Sequence, residues 1–156
     1  MIQRIQTLYL LAVTILMAIT FFAPLMTFGT EAGISTVYAY QLVDPEGVVI
    51  SSPWHLAFLT LLTAVLPLGI IFRYKKRLLQ IRFCVVEMVL LVGLIVMLGF
   101  YCYRYYTLFS EAANDVFSAS YLVTLLCPLA ALLFTWLASR AIFRDELLVR
   151  AADRIR

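Results

Sequence analysis

Residues 83–103 read FCVVEMVLLVGLIVMLGFYCY, 21 consecutive residues with a single charge, Glu87. At about 1.5 Å per residue a helix of that length covers about 31 Å, the depth of a bilayer's hydrocarbon core. Lipid offers no partner to backbone N–H and C=O groups, so such a segment must satisfy them internally as a helix. Three further runs repeat the pattern with no formal charge: Thr7–Phe28 (22 residues), Trp54–Phe72 (19 residues) and Tyr121–Ser139 (19 residues). With the third run carried on to Tyr106, the expected spans are 7–28, 54–72, 83–106 and 121–139.

The composition agrees. Of 156 residues, 64% are hydrophobic and 13% charged, and mean hydropathy is +0.98. A soluble domain has about 45–50% apolar and about 25% charged residues. This chain has more apolar surface than a single small core can hide. That excludes an ordinary soluble enzyme, a disordered tail and a disulfide mini-protein. Residues 1–156 read as one domain, with no internal repeat, low-complexity tract or long linker.

Orientation follows from the polar connections. Arg4 precedes the first span, Arg73, Lys75, Lys76, Arg77 and Arg82 lie between the second and third, and Arg140, Arg144, Arg150, Arg154 and Arg156 follow the fourth. Eleven of the twelve basic residues therefore fall on one side, with Arg104 the exception. Glu31, Asp44, Glu46, Glu111 and Asp115 occupy the other side. The positive-inside rule places both termini in the cytoplasm. The first span is expected to be retained as a helix, because 22 apolar residues exceed a signal-peptide core and no Ala-x-Ala site precedes Gly29.

The outer segment 29–53 carries the β signal. Ile34, Thr36, Tyr38, Tyr40 and Leu42 alternate with Ser35, Val37, Ala39, Gln41 and Val43, a β-branched and aromatic run. Pro45-Glu46-Gly47 is turn chemistry, and Val48-Val49-Ile50 would return as a second strand. Ser52-Pro53 reads as an N-cap followed by proline at the first helical position. The second outer connection, 107–120, is expected to hold a helical turn capped by Ser110. The tail 140–156 places Leu148, Ala151, Ala152 and Ile155 at helical spacings, opposite Arg144, Asp145, Arg150, Asp153 and Arg154. This is an amphipathic helix suited to inner headgroups or a docking partner. Asp145, Glu146 and Asp153 interrupt its basic face, which argues against nucleic acid.

Candidate chemistry is sparse. Glu87 is the sole intramembrane acid, and by default such a residue suggests function. It lies only four residues inside its span, where snorkelling or pairing with Arg4, Arg82 or Arg140 would give it a structural role instead. Phe100 to Tyr106, with Trp54, Tyr38, Tyr40, Phe117 and Tyr121, would form an aromatic belt at the outer interface. Tyr101, Arg104 and Tyr105 are its candidates for gripping a lipid, a quinone or a partner. Trp136 marks the inner interface. His55 is the only histidine and cannot form a zinc site alone. Cys84, Cys102 and Cys127 read as buried thiols. Ala57, Thr60 and Ala64, and likewise Thr14 and Ala18, make small-residue faces for close helix packing. No nucleophile–base pair, metal set or cofactor motif is visible, so no enzyme, cofactor or metal is expected.

The chain ends carry a resemblance. The opening M-I-Q-R-I-Q and the closing D-E-L-L-V-R-A-A-D-R-I-R resemble the four-span inner-membrane family known as domain of unknown function 4293, and the likeness extends along the chain. That family occurs in Bacteroidetes. The resemblance implies a Gram-negative cytoplasmic membrane with periplasmic outer loops, and supplies location rather than mechanism. The layout is also similar to that of claudin-like proteins, although their W-x-x-L-W motif and paired cysteines are missing from 29–53.

The expectation is therefore an all-α membrane protein. It is a four-transmembrane-helix bundle with a short extracytoplasmic β-hairpin between the first two helices and a cytoplasmic amphipathic C-terminal helix. Its expected role is a non-enzymatic accessory or scaffold subunit. Arg144, Asp145, Glu146, Arg150, Asp153 and Arg154 would make the inner contact with a membrane-protein partner or a second copy. The alternatives are a small transporter or proton pathway using Glu87, and a lipid- or quinone-binding protein.

Overall fold

The computed structural model describes residues 3–30, 33–73, 77–112, 118–121 and 123–153. Four helices dominate it: α1 (Gln3–Phe22), α2 (Trp54–Phe72), α3 (Arg77–Ala112) and α4 (Cys127–Asp153). All four are long and apolar enough to cross a membrane. Each packs on two neighbours, in the ring α1–α2–α3–α4, which brings the first and last helices together.

One spacing rule builds the bundle. The buried positions are Gln6, Leu10, Val13, Met17 and Thr20 on α1, and Leu56, Thr60, Thr63, Pro67 and Ile70 on α2. On α3 they are Gln80, Cys84, Glu87, Leu91, Leu94, Leu98, Tyr105 and Phe109, and on α4 Pro128, Ala131, Thr135, Ala138 and Ile142. Apart from the two-turn step from Leu98 to Tyr105, every step is three or four residues, the 3.5-residue period of knobs-into-holes packing at shallow crossing angles. The outward faces are equally apolar, with Val96 68% and Phe72 81% exposed. Hydropathy therefore does not distinguish lipid-facing from helix-facing positions, because lipid tails are as apolar as leucine.

At one end of the bundle lies a five-stranded antiparallel sheet, ordered β4-β3-β2-β1-β5. Its strands are β1 (Met26–Thr30), β2 (Gly33–Val37), β3 (Leu42–Val43), β4 (Val49–Ser51) and β5 (Ser118–Tyr121). The sheet corrects the expected boundaries. Span one was expected to reach residue 28, but α1 stops at Phe22 and Met26, Thr27 and Phe28 belong to β1. Pro24 lacks the N–H that would continue the helix, so the last helical bond is Ala23 N–H to Ile19 C=O at 2.9 Å. Leu25, Met26 and Phe28 are still fully buried, at the junction of sheet and bundle, where Phe28 stacks on Phe109 of α3 at 4.9 Å. Their apolar character serves a protein core rather than lipid.

The expected hairpin is present but larger. The run 34–43 breaks into β2 and β3 at a turn closed by Tyr38 N–H to Gln41 C=O, at 2.8 Å. Pro45-Glu46-Gly47 makes the next turn, with Gly47 at φ +80° and its N–H bonded to Asp44 C=O. The second connection was expected to be helical from Ser110. Instead α3 runs to Ala112, and β5 pairs Ser118 with Gly29 and Tyr121 with Met26. Span four likewise begins at Cys127 rather than residue 121, after a 3-10 turn at Val123–Leu126. At the start of α2 the capping position is Pro53, without a side-chain cap. Ser52 Oγ, expected as the cap, instead donates to Tyr40 C=O across the sheet, at 3.0 Å.

Candidate functional site

Three places concentrate polar chemistry. The first is the basic end, where α2 ends and α3 begins, with the start of α1 beside the last turns of α4. Gln80 Nε2 donates at 3.0 Å to Ile70 C=O, which also accepts from Arg73 N–H, so α3 ties down the last turn of α2. Between α1 and α4 an open groove of about 530 Å³ is lined by Ile5, Tyr9, Leu137, Arg140, Ala141, Arg144, Asp145 and Leu148. Arg140 also lies over the Trp136 ring, 5.4 Å from its centroid.

Two of the expected inner-contact residues, Arg144 and Asp145, therefore share the groove, joined by Arg140. Glu146 is half-buried beside it. Arg150 and Asp153 lie on the last turns of α4, and Arg154 lies outside the described residues. As far as Asp153, the tail is an unbroken extension of α4.

The second place is the bundle interior. Glu87 is 0% exposed, and neither carboxylate oxygen has a hydrogen-bond partner among the described residues. Gln6 Nε2 is likewise buried without a partner there. The buried threonines all donate to their own helices: Thr60 to Leu56 C=O at 2.8 Å, Thr63 to Leu59 C=O at 3.1 Å, and Thr135 to Ala131 C=O at 2.8 Å.

The third is the sheet end, where the expected aromatic belt is split by burial. Tyr105 is 5% exposed and Tyr101 half-buried, whereas Arg104 faces outward. Tyr101 bonds His55 through its hydroxyl, and ring contacts run Trp54–His55–Tyr101–Tyr105, at 5.3, 5.7 and 5.7 Å between successive centroids. The Tyr105 hydroxyl makes no hydrogen bond among the described residues, although Ser51 of β4 stands near it. Tyr101 and Tyr105 thus tie α2 to α3, and Arg104 does not share a surface with them. A second set, Phe21 on Tyr40 at 5.5 Å and Tyr38 beside Tyr40 at 5.7 Å, fastens α1 to the β2–β3 turn.

Along the outer edge of the sheet, Val48, Val49 and Ile50 are 59%, 50% and 54% exposed. Cys84, Cys102 and Cys127 are free thiols. Among the described residues, no three potential metal ligands come together.

Residues 2–155 match the family described as Domain of unknown function (DUF4293). The chain belongs to this family. No curated protein matches it. For this member, three site features were not anticipated: the His55–Tyr101 bond, the groove partners Ile5, Tyr9 and Arg140, and the polar interior around Glu87. One signal was available for the last. Polar residues recur at steps of three or four on otherwise apolar helices, as in Gln80 to Cys84 to Glu87 and Thr60 to Thr63, and only the helix-facing side accommodates such a series in lipid. The other two depend on contacts between helices that are distant in sequence.

Proposed function

We propose that the chain is a non-enzymatic accessory or scaffold subunit of a membrane complex. It sits in the cytoplasmic membrane with both termini inside and the sheet outside. The split of basic and acidic residues across the four spans supports that orientation. The observation that carries the reading is the edge of the sheet. Exposed apolar residues on the helices are accounted for by lipid. Val49 and Ile50 on β4, Val48 just before it, and Ile34 at 65% exposure on β2, lie on the sheet beyond the helices. An exposed apolar edge strand with unpaired backbone groups is a template for another chain. At the opposite end the α4 extension offers Arg144, Asp145, Glu146, Arg150, Asp153 and Arg154 to a cytoplasmic partner.

The test places photo-crosslinking residues at Val49 and Arg144 of the full chain, followed by purification in mild detergent. A defined partner, or a second copy, captured at either position is the expected result. Val49→Lys should abolish capture at the edge, and Arg144→Glu with Arg150→Glu should reduce capture at the tail at least tenfold. A chain that stays solitary at both positions overturns the proposal.

A further inference from the structure

On the inward stripe of α3, Glu87 stands between two apolar clusters. Towards the basic end Cys84 packs with Leu10, Ile70, Ala138 and Ile142. Towards the sheet Leu91 packs with Val13, Met17 and Ala131. On the facing stripes, Thr63 and Pro67 of α2 and Thr135 of α4 fall in the same interval between the clusters. Thr63 and Thr135 already donate their hydroxyl protons to their own helices, so what they leave open is acceptor lone pairs. Among the described residues, the buried positions of α1, α2 and α4 include no charged side chain. Arg73, Arg82, Arg140 and Arg144 are exposed at the basic end, with Asp145 half-buried among them. The Cys84 thiol lies one turn away on the same helix and interacts electrostatically with Glu87.

A carboxylate in this position would be fully desolvated, with neither counter-charge nor donor, which is the arrangement interiors tolerate least. A carboxylic acid fits better: it carries no net charge, so its burial costs far less. We propose that Glu87 is an occluded proton-binding site, held as the neutral acid in the closed bundle and exchanging its proton with the compartment at the basic end. The direction follows from the packing. Only the small Cys84 cluster separates Glu87 from the polar pair Gln6 and Gln80, whereas the larger cluster, through Leu94, Leu98, Tyr105 and Phe109, closes the route to the sheet. The site is therefore loaded from one side and is not a pathway through the membrane.

The step is a bare proton transfer. The Glu87 O–H bond breaks, the proton passes to water admitted at the basic end, and a carboxylate remains; the reverse restores the acid. Ionisation places an unpaired charge between the clusters, so the carboxylate form draws water in and loosens the smaller one. The pH at the basic end thereby sets the packing at the base of the α4 extension. This inference does not depend on the partner reading.

Infrared spectroscopy of the full chain in lipid nanodiscs tests it. At pH 7, where water-exposed carboxyls are ionised, wild type should keep a carboxylic-acid C=O stretch that Glu87→Gln lacks. That band should bleach when the pH is raised and return when it is lowered. If the Gln variant does not fold, Glu87→Asp should retain the band at a shifted frequency. In vesicles with the Arg-rich end outward, verified by trypsin cleavage of the tail, raising external pH should bleach the band and raising internal pH should leave it. The absence of such a band at pH 7, its persistence in Glu87→Gln, its loss on adding sodium or potassium at fixed pH, or its response to internal pH would each overturn the proposal.

Discussion

At the scale of single residues, glycine positions govern how the sheet closes. Gly33 opens β2 at φ +129°, a conformation that side chains with a Cβ rarely adopt, and an added Cβ would lie 2.7 Å from Pro45 Cβ. Both effects act on the same substitution. Gly33→Ala should therefore lower stability by about 1–3 kcal/mol, read as a drop in thermal midpoint in detergent. Pairing it with Pro45→Gly should return only part of the loss, because the backbone strain stays. Gly29 is crowded in a different way: its partner on β5 is Ser118, whose Oγ would lie 2.5 Å from an added Cβ and would have to rotate away. Sequence inspection identifies both residues as glycines in a β segment. It does not reveal that one faces a proline twelve residues away and the other a strand from the second connection.

At the scale of elements, the 3.5-residue burial period separates two classes of apolar residue that composition treats alike. Leu94 is 0% exposed in the core, and Val96, two residues on, is 68% exposed to the surroundings. Leu94→Ala should destabilise by about 2–5 kcal/mol through lost contacts and a cavity. Val96→Ala should stay within about 0.5 kcal/mol, since lipid refills the space left by a surface methyl. Denaturation of the two variants side by side checks the assignment of the stripe, and similar losses would show the wrong face. The helices themselves were legible because each holds a stretch of 18 or more residues that is strongly apolar on average. Their ends were less so. α1 stops early because Pro24 intervenes, α3 extends well beyond its apolar run, and β1 was read as helix because its apolar residues are buried by protein instead of lipid.

For the whole molecule, the decisive feature is that one sheet contains strands from both odd-numbered connections. The pairing of β1 with β5 fastens the α1–α2 connection to the α3–α4 connection, so both lie at one end of the bundle, opposite the α2–α3 turn. In a chain freed of Cys84, Cys102 and Cys127, single cysteines at Glu46 and Glu111 should label with an impermeant thiol reagent from the same face. A cysteine at Arg73 should label only from the other. Labelling of Glu46 and Glu111 from opposite faces would contradict the four-span topology.

Four helices long and apolar enough to cross a membrane, and a separation of charge along the chain, were encoded locally. A run of apolar residues needs no partner to prefer lipid, and each cation contributes to orientation largely by itself. The turn at 45–47 was equally local, since proline and glycine carry their backbone preferences with them. What depended on tertiary structure was every choice among equally apolar positions: which face meets a neighbour, which residues leave the span to become β1, and which side chains line the α1–α4 groove. Lipid and protein interior reward the same residues, so transfer energy alone could not separate them. Glu87 lay between these cases. Its charge was evident in the sequence, but only the assembled helices place it between two apolar clusters with no partner among the described residues.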